Sequence, residues 1–388
     1  MQKLIDRQVA NHEQSIASTA LTNPKQYWSY VNSKLKNKKN NLKMIRKDGR
    51  IIIDSLEIAE AFNDHFYRNY NHKPSDIDSF VCYTNLSSNC KRFTLAEVNI
   101  NCDKVNRLLK MLPDKRSEDY DGFSYTILKR ASEVLSKQLF KLFTRSLYEK
   151  CLSRDWRRSI IFPIIKKPGS SDIENFRPIN VTSCMCRLLE RIIRDSIQDF
   201  LDVNGLINSS QHGFSRGKST ETALLKYTND LTLALDCGKC IDAVYLDFSK
   251  AFDSVRHDYL LQKLQDIGIS GSLFRWIRDY FISRSQIITV NGCVSSENSI
   301  PSGVIQGSVL GPLFFSIFVN DIDDVIKSCS ILKYADDIRI YRHFEPNASS
   351  QMISKELFQN DLNAIVEWSN KWDLKFNSSN AQYYTLAG

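Results

Sequence analysis

The sequence predicts an α+β fold, in which an antiparallel sheet is backed by helices. Short apolar runs that are typical of strands alternate with longer segments that have helical periodicity. The strand-like runs cover residues 160–165, 241–246, 286–290 and 331–341. The helical segments cover residues 192–202, 220–235, 257–266, 273–283 and 351–372. The last strand-like run contains a short polar turn, which predicts a β-hairpin and therefore antiparallel pairing.

The N-terminal region, residues 1–93, is predicted to be polar and mainly helical, with one amphipathic helix at 55–70. Thr94 and Glu97 have the spacing of a capping box, which predicts that a helix begins there. Helical patterns then dominate the sequence as far as Lys150.

The composition is that of a large, slightly basic protein. Its 388 residues are enough for two or three subdomains, and 52 Lys and Arg against 44 Asp and Glu give a net charge of +8. This excess suits a polyanionic partner. The clearest basic run lies within residues 34–47, where a nucleic-acid contact and a solvated linker both fit the pattern.

Several classes of protein are disfavoured. Ten cysteines without a disulfide framework indicate a reducing compartment, and the lone C-x-x-C at Cys237 and Cys240 is interpreted as a turn before a strand. The N-terminus is not a signal peptide, and no apolar run reaches the ~20 residues that span a bilayer. We therefore expect a soluble, intracellular protein of the nucleus or cytoplasm. No P-loop or dinucleotide fingerprint is present.

Two adjacent acids, Asp336 and Asp337, lie at the tip of the predicted hairpin, after Tyr334 and Ala335. Adjacent carboxylates repel each other, and a bound cation would relieve that repulsion. Hard oxygen ligands of this kind suit Mg²⁺. The alternative is a solvated polar turn, because Asp is common in turns.

A further acid, Asp247, follows the buried strand predicted at 241–246. This acid and the acids of the hairpin tip converge if the two strands are neighbours in a sheet. Two-metal phosphoryl transfer needs that arrangement, because one ion lowers the pKa of the attacking hydroxyl and the other holds the triphosphate. The pattern therefore indicates a metal-assisted site.

A series of motifs follows in one order along the chain. The motifs occupy residues 156–158, 161–167, 175–179, 186–193, 211–219, 246–253, 302–312, 334–337 and 372–377. In this order they resemble the motifs of reverse transcriptases from non-LTR, LINE-like retrotransposons of the jockey/CR1 type. Each motif alone is unspecific, whereas the ordered set, from about Thr94 to about Asn377, is specific.

The resemblance implies an RNA-directed DNA polymerase, a nucleotidyltransferase that joins a primer 3′-OH to the α-phosphorus of a dNTP. Its partners would be an RNA template, a DNA primer and dNTPs. The implied fold is the fingers and palm of a right-hand polymerase, with a helical linker at 1–93, a fingers-like region at 94–235 and the palm at 236–388. The family's thumb and N-terminal endonuclease are expected to be missing here.

By the same resemblance, Asp247, Asp336 and Asp337 would be catalytic. Asp247 and Asp336 would be ligands of two Mg²⁺ ions, for which Mn²⁺ is an alternative. Phe252, five positions after Asp247, resembles the aromatic gate that rejects a ribose 2′-OH. A core aromatic that anchors a strand-to-helix turn is the other interpretation, and both can hold because a gate must be rigidly packed.

Two further regions would bind the nucleotide. Gln306 and Gly307 resemble the loop that backs the nucleotide, where Gly allows close backbone approach. A compatible alternative is a helix start with Ser308 as N-cap. Lys166 and Arg177 would bind the triphosphate, although Lys167 fits as well by spacing and a solvated charge is the alternative for any single lysine. The template- and primer-binding residues would be Gln211, Arg216 and Lys218.

Three departures from the family pattern are visible. Residues 116–122 lack the family's proline-containing turn, and Asn380 stands where the family usually has a Lys that can protonate the leaving pyrophosphate. The chain also ends just after the palm region. Two alternatives therefore stay open: a non-catalytic element remnant that only binds nucleic acid, and a group II intron-like maturase, which carries a similar Tyr-Ala-Asp-Asp motif.

Overall fold

The structure is a computed structural model that describes residues 2–18, 20–24, 27–28, 30–31, 42–71, 73, 93–114, 121–166 and 169–386. Its helices are α1 (Gln2–Ser18), α2 (Ser55–Tyr67), α3 (Cys102–Lys110), α4 (Tyr125–Arg130), α5 (Ser132–Glu149), α6 (Cys184–Val203), α7 (Thr220–Asp236), α8 (Ala251–Ser254), α9 (His257–Asp266), α10 (Gly271–Phe281), α11 (Gly311–Phe318) and α12 (Ala348–Lys371). Short 3₁₀ helices cover Arg154–Trp156, Ile173–Asn175 and Asn320–Val325.

The strands are β1 (Ile45–Lys47), β2 (Arg50–Ile52), β3 (Arg158–Ile165), β4 (Phe176–Val181), β5 (Cys240–Leu246), β6 (Ser285–Val290), β7 (Cys293–Val294), β8 (Asn298–Ser299), β9 (Ser330–Tyr334), β10 (Asp337–Phe344) and β11 (Gln382–Leu386). The mixture of helix and sheet confirms the predicted class. Each of the four predicted strand-like runs contains a strand, and the last is a hairpin of β9 and β10.

Four strands form an antiparallel sheet in the order β11-β5-β10-β9. Side chains alternate between its two faces, so each face is covered by different helices. Val244 and Ile338 enter a core shared with α9, α11 and α12, whereas Ala243 and Tyr341 pack with α7. The predicted arrangement of an antiparallel sheet backed by helices is therefore confirmed.

A second sheet has the order β4-β3-β6-β7, with β8 also paired to β6, and its β3–β6 pairing is parallel. Helix α2 packs against it, with Phe62 and Phe66 buried beside Ile161, Phe176 and Ile288. The residues of β1, β2 and α2, predicted as part of a linker, thus share a core with this sheet. The sheet also crosses the predicted boundary at 235/236, because β6 to β8 come from the later part of the chain.

The helix start predicted at Thr94 is wrong. Leu95 instead forms a parallel bridge with Ile269, because the backbone there bonds to the segment before α10 rather than to itself. The next helix, α3, begins after Asn101, whose side chain accepts a hydrogen bond from the Lys104 amide at 2.8 Å. The interpretation of the C-x-x-C as a turn is confirmed, since it joins α7 to β5.

Two predicted features lie partly outside the described residues: the basic run within 34–47 and the departure at 116–122. None of the described helices combines the length and the apolar composition that a membrane span requires.

Candidate active site

The pairing of β5 with β10 brings the three acids to one edge of the four-stranded sheet. Ile338 pairs with Leu246, so the next step of the antiparallel register places Asp337 opposite Asp247. Asp336 lies one residue earlier, in the two-residue turn between β9 and β10. The sequence therefore folds so that a strand end and a hairpin tip meet, as predicted.

Residues of a different loop hold the turn between β9 and β10 in place. Ala335 has a φ of +57°, a conformation that normally favours glycine. The Ala335 amide donates at 3.1 Å to Oε1 of Gln211, which also accepts from the Gly213 amide at 2.9 Å. A Cβ on Gly213 would lie 2.3 Å from the Ala335 nitrogen, so only glycine allows this approach. These contacts fix the turn that carries Asp336.

The pKa values of Asp336 and Asp337 are both raised. Burial is the largest cause of the raised pKa of Asp336; a backbone hydrogen bond opposes it, the charges of Asp337 and Asp247 raise the pKa further, and the positive charge of Arg177 lowers it. Burial and the Asp247 charge raise the pKa of Asp337 as well. A cation at this edge would relieve the repulsion.

The donor chemistry of this edge fits a hard divalent cation, since carboxylate oxygens are its preferred ligands. Within the described ranges, however, no group of three or more His, Cys, Asp or Glu side chains is gathered closely enough to hold a metal ion. Oδ2 of Asp247 accepts a hydrogen bond from Nδ2 of Asn380 at 3.0 Å.

A cleft of about 1010 Å³ opens beside the acids. The predicted catalytic and nucleotide-binding residues all line it. They are Lys166, Arg177, Asp247, Phe252, Gln306, Gly307, Asp336 and Asp337. Residues from α2, β4, α8, β10 and the loop before α11, together with Lys166 just after β3, thus meet at one site, although they are far apart in the sequence.

The two predicted triphosphate ligands come from one hairpin. In the β3–β4 pairing Ile164 lies opposite Arg177, and Lys166 directly follows β3. Nζ of Lys166 donates to the Glu174 carbonyl oxygen at 3.2 Å. Burial, and next the charge of Arg177, lower the pKa of Lys166, as expected for neighbouring cations. Lys167 lies outside the described residues.

Phe252 is packed against other aromatic rings and also lines the cleft. Its ring stacks on Phe315 with centroids 4.7 Å apart and meets Phe214 edge-on at 6.4 Å. Phe315 is fully buried in the main core, so Phe252 is a packed aromatic with one side toward the cleft. Phe214, which also lines the cleft, was not singled out from the sequence.

The loop before α11 approaches β4 at backbone level. Gly307 has a φ of +107°, and a Cβ there would lie 2.4 Å from the Asn180 carbonyl oxygen. The Asn180 amide donates to the Gln306 carbonyl oxygen at 3.1 Å. Ser308 is not the N-cap residue of α11, which is Leu310, but Oγ of Ser308 accepts from the Gly311 amide at 2.9 Å.

The predicted template- and primer-binding residues do not line the cleft. Gln211 is only 1% exposed, and its side chain supports the hairpin turn. Nζ of Lys218 donates to the carbonyl oxygens of Ser209 and Gln211 at 2.6 and 2.9 Å, and Arg216 pairs with Asp199 at 3.0 Å. The loop itself lies beside β9, where the Lys333 and Ser210 backbones bond.

Comparison with known proteins identifies the family of this chain. A model described as reverse transcriptase (RNA-dependent DNA polymerase) matches residues 165–385, which is 221 of the 388 residues. The probable RNA-directed DNA polymerase from transposon BS of Drosophila melanogaster is 27% identical, over 72% of this chain and 31% of that protein.

Two proteins called RNA-directed DNA polymerase from mobile element jockey are also similar. The protein of Drosophila funebris is 31% identical over 74% of this chain and 32% of its own length. That of Drosophila melanogaster is 24% identical over 86% of this chain and 37% of its own length. The chain thus spans about a third of the length of these relatives. Since the family model covers more than half of it, the chain belongs to the reverse transcriptase family, in the LINE-like, non-LTR class.

Proposed function

We propose that this chain is an RNA-directed DNA polymerase, which adds dNTPs to a DNA primer annealed to an RNA template. The observation that carries the proposal is the β5–β10 register, which brings Asp247 to Asp336 and Asp337 at the edge of a cleft. Lys166 and Arg177 on the same cleft supply positive charge for a triphosphate. Acids at one edge and cations facing them are what nucleotidyl transfer requires.

In this proposal the four-stranded sheet is the palm of a right-hand polymerase. The five-stranded sheet, with β1, β2 and α2 packed on it, belongs to the fingers. The β3–β4 hairpin would then lie over the nucleotide, since it carries Lys166 and Arg177 to the cleft that the acids also line.

The acids would act as ligands and the cations as phosphate-binding groups. Two Mg²⁺ ions, or Mn²⁺ in their place, would be held by Asp247 and Asp336, lower the pKa of the primer hydroxyl and neutralise the leaving pyrophosphate. Asp337 adds negative charge beside them. Arg177 can grip two phosphate oxygens, and Lys166 adds a point charge. Incorporation joins the primer 3′ oxygen to the α-phosphorus, and the bond from that phosphorus to pyrophosphate breaks.

The remaining cleft residues would select and support the nucleotide. Phe252, held by Phe315, presents a rigid ring that a ribose 2′-OH would strike. Gln306 and Gly307 form the wall behind the nucleotide. Arg216 and Lys218 would contact the template–primer backbone from their loop, while Gln211 would act indirectly, by holding the turn that carries Asp336.

A second candidate function is nucleic-acid binding without polymerisation. It is favoured by Asn380, which cannot donate a proton to the leaving group and is hydrogen-bonded to Asp247 instead. A protein without a proton donor for the leaving group would still present the basic residues of the cleft to a polyanion.

The two functions are separated by metal-dependent incorporation of dNTPs on an RNA template annealed to a DNA primer. The wild type should extend the primer with Mg²⁺, and Asp336→Asn should reduce extension ~10²- to 10³-fold, in line with the loss of one stabilising group at a reacting centre. Its melting temperature should not fall, because the substitution removes a repelled charge while keeping the side-chain volume.

Asp236→Asn, at the exposed end of α7, is the matched control and should keep full activity. Duplex binding without extension by the wild type would reject the polymerase and support the second function. Extension by Asp336→Asn at the wild-type rate would reject the site.

A further inference from the structure

Asp253 is a carboxylate on the cleft that the proposed mechanism does not use. It lies in α8, one residue after Phe252, and lines the same cleft. Its Oδ1 accepts a hydrogen bond from Nε2 of Gln306 at 3.1 Å. Its backbone carbonyl oxygen accepts from Oγ of Ser302 at 2.7 Å. Asp253 therefore holds both ends of the segment 302–306.

Backbone contacts fasten the same segment to α8. The Gly303 amide donates to the Val255 carbonyl oxygen, and the Val304 amide donates to that of Phe252, both at 2.7 Å. A Cβ on Gly303 would lie 2.9 Å from Cα of Asp253, so the two backbones are in direct contact. The backbone positions the Gln306 side chain, but it does not decide which end of the amide faces which way.

The charge of Asp253 determines the orientation of the Gln306 amide. The oxygen and nitrogen ends of a glutamine amide have nearly the same shape, so a half-turn costs little steric energy. An ionised carboxylate accepts hydrogen bonds and cannot donate them. It therefore binds the nitrogen end of Gln306 and leaves the amide oxygen as the acceptor for another group.

We propose that Asp253 is a positioning residue that fixes the amide of Gln306 with its oxygen free for the incoming nucleotide. The proposal rests on the polymerase function argued above, and it assigns the chemistry of this wall of the cleft. An amide oxygen meets a hydrogen-bond donor, such as a hydroxyl or amino group, and it repels phosphate oxygens. The phosphates would instead be bound by Lys166 and Arg177, which line the same cleft.

The ionisation of Asp253 lies within reach of ordinary buffers. Burial raises its pKa to about 6, against the effect of the Gln306 hydrogen bond and of the Lys250 and Lys166 charges. Burial, and next the charge of Asp253, raise the pKa of Tyr70, which lies in the segment after α2. As the pH falls through about 6, the carboxyl group gains a proton, can donate to the amide oxygen, and no longer imposes one orientation.

The contact can be tested without catalysis. In protein labelled with ¹⁵N at glutamine side chains, the Gln306 amide resonance, assigned by its loss in Gln306→Leu, should titrate with a midpoint near 6. The titration should persist in the control Asp242→Asn, a buried aspartate that accepts from Tyr383 on the distant β11. It should vanish in Asp253→Asn. A wild-type resonance that does not titrate between pH 5 and 8 would overturn the proposal.

The role in nucleotide binding is tested by the pH profile of KM for dNTP. The wild-type KM should rise below pH 6, whereas Asp253→Asn should have a flat profile and a KM raised ~10-fold, the effect of losing a charge-assisted hydrogen bond. Asp253→Glu should restore the pH dependence. If Asp253→Asn lowers kcat and the melting temperature while its KM profile keeps the wild-type shape, the role of Asp253 is merely structural. If the wild type extends no primer, the polymerase function and the role in KM both fail, and the amide titration alone decides the contact.

Discussion

Replacement of Gly307 by alanine tests whether the wall behind the nucleotide depends on its backbone. Gly307 has a φ of +107°, and an added Cβ would lie 2.4 Å from the Asn180 carbonyl oxygen. Ordinary van der Waals contact begins at 3.4 Å, so the loop and β4 must separate by about 1 Å. The obstacle is backbone, which cannot rotate away as a flexible side chain can.

The expected loss of activity in Gly307→Ala follows from this displacement. A misplacement of about 1 Å at a substrate-positioning group costs on the order of 10²-fold in rate. The unfavourable φ adds roughly 1–3 kcal/mol to the free energy lost from the folded state. We therefore expect Gly307→Ala to lower single-turnover dNTP incorporation about 100-fold and to lower the melting temperature by several degrees.

Gly292→Ala separates the two effects. Gly292 has a φ of +89°, but a Cβ there would meet nothing within 4 Å. This control should share the loss of stability and keep the wild-type rate. Incorporation by Gly307→Ala within threefold of wild type would refute the argument, because the loop could then move 1 Å without consequence.

Three further outcomes are expected. Phe252→Ala should admit ribonucleotides, because it removes the ring that Phe315 holds; unchanged discrimination between rNTPs and dNTPs would reject the gate. Asn380→Lys should raise turnover under saturating dNTP if protonation of pyrophosphate limits the rate, and an unchanged kcat would reject that limit. The apparent affinity for Mg²⁺ should weaken as the pH is lowered, since the raised pKa values of Asp336 and Asp337 let protons compete with the metal; an affinity that stays constant down to the lowest pH at which the protein remains folded would contradict this.

The elements with a clear local period were predictable from the sequence. The hairpin that carries Asp336 was found from its apolar alternation and its polar turn, and Asp247 from its position after a buried strand. Their meeting depends on strand order, which local patterns do not contain. The expectation that they meet came from the chemistry of paired acids, and the register confirms it.

The features that sequence reasoning missed depend on distant partners. Strand β4 was not among the four strand-like runs, although Arg177 was placed in or near a strand-like segment; its Pro178 is tolerated since β4 lies at the edge of its sheet. Gln211 was assigned to the template together with its loop, which carries Arg216 and Lys218, yet its side chain accepts a hydrogen bond from the Ala335 amide, 124 positions away. Thr94 has the spacing of a capping box, but the hydrogen bonds of Leu95 with the segment before α10 override that local preference.

The strand order of the five-stranded sheet affects how the protein folds while it is being synthesised on the ribosome. Its parallel pair joins Arg158 to Ser285, so β3 leaves the ribosome 127 residues before the strand it needs. At a synthesis rate of about 5–20 residues per second, that wait lasts roughly 6–25 s. During this time Ile161 and the apolar face of α2 lack the cover of β6, and the nascent chain carries an unpaired edge that favours aggregation. The strands of the two sheets also alternate along the chain: β5 lies between β4 and β6, and β6 to β8 lie between β5 and β9. A single cut in the chain therefore cannot separate the two sheets.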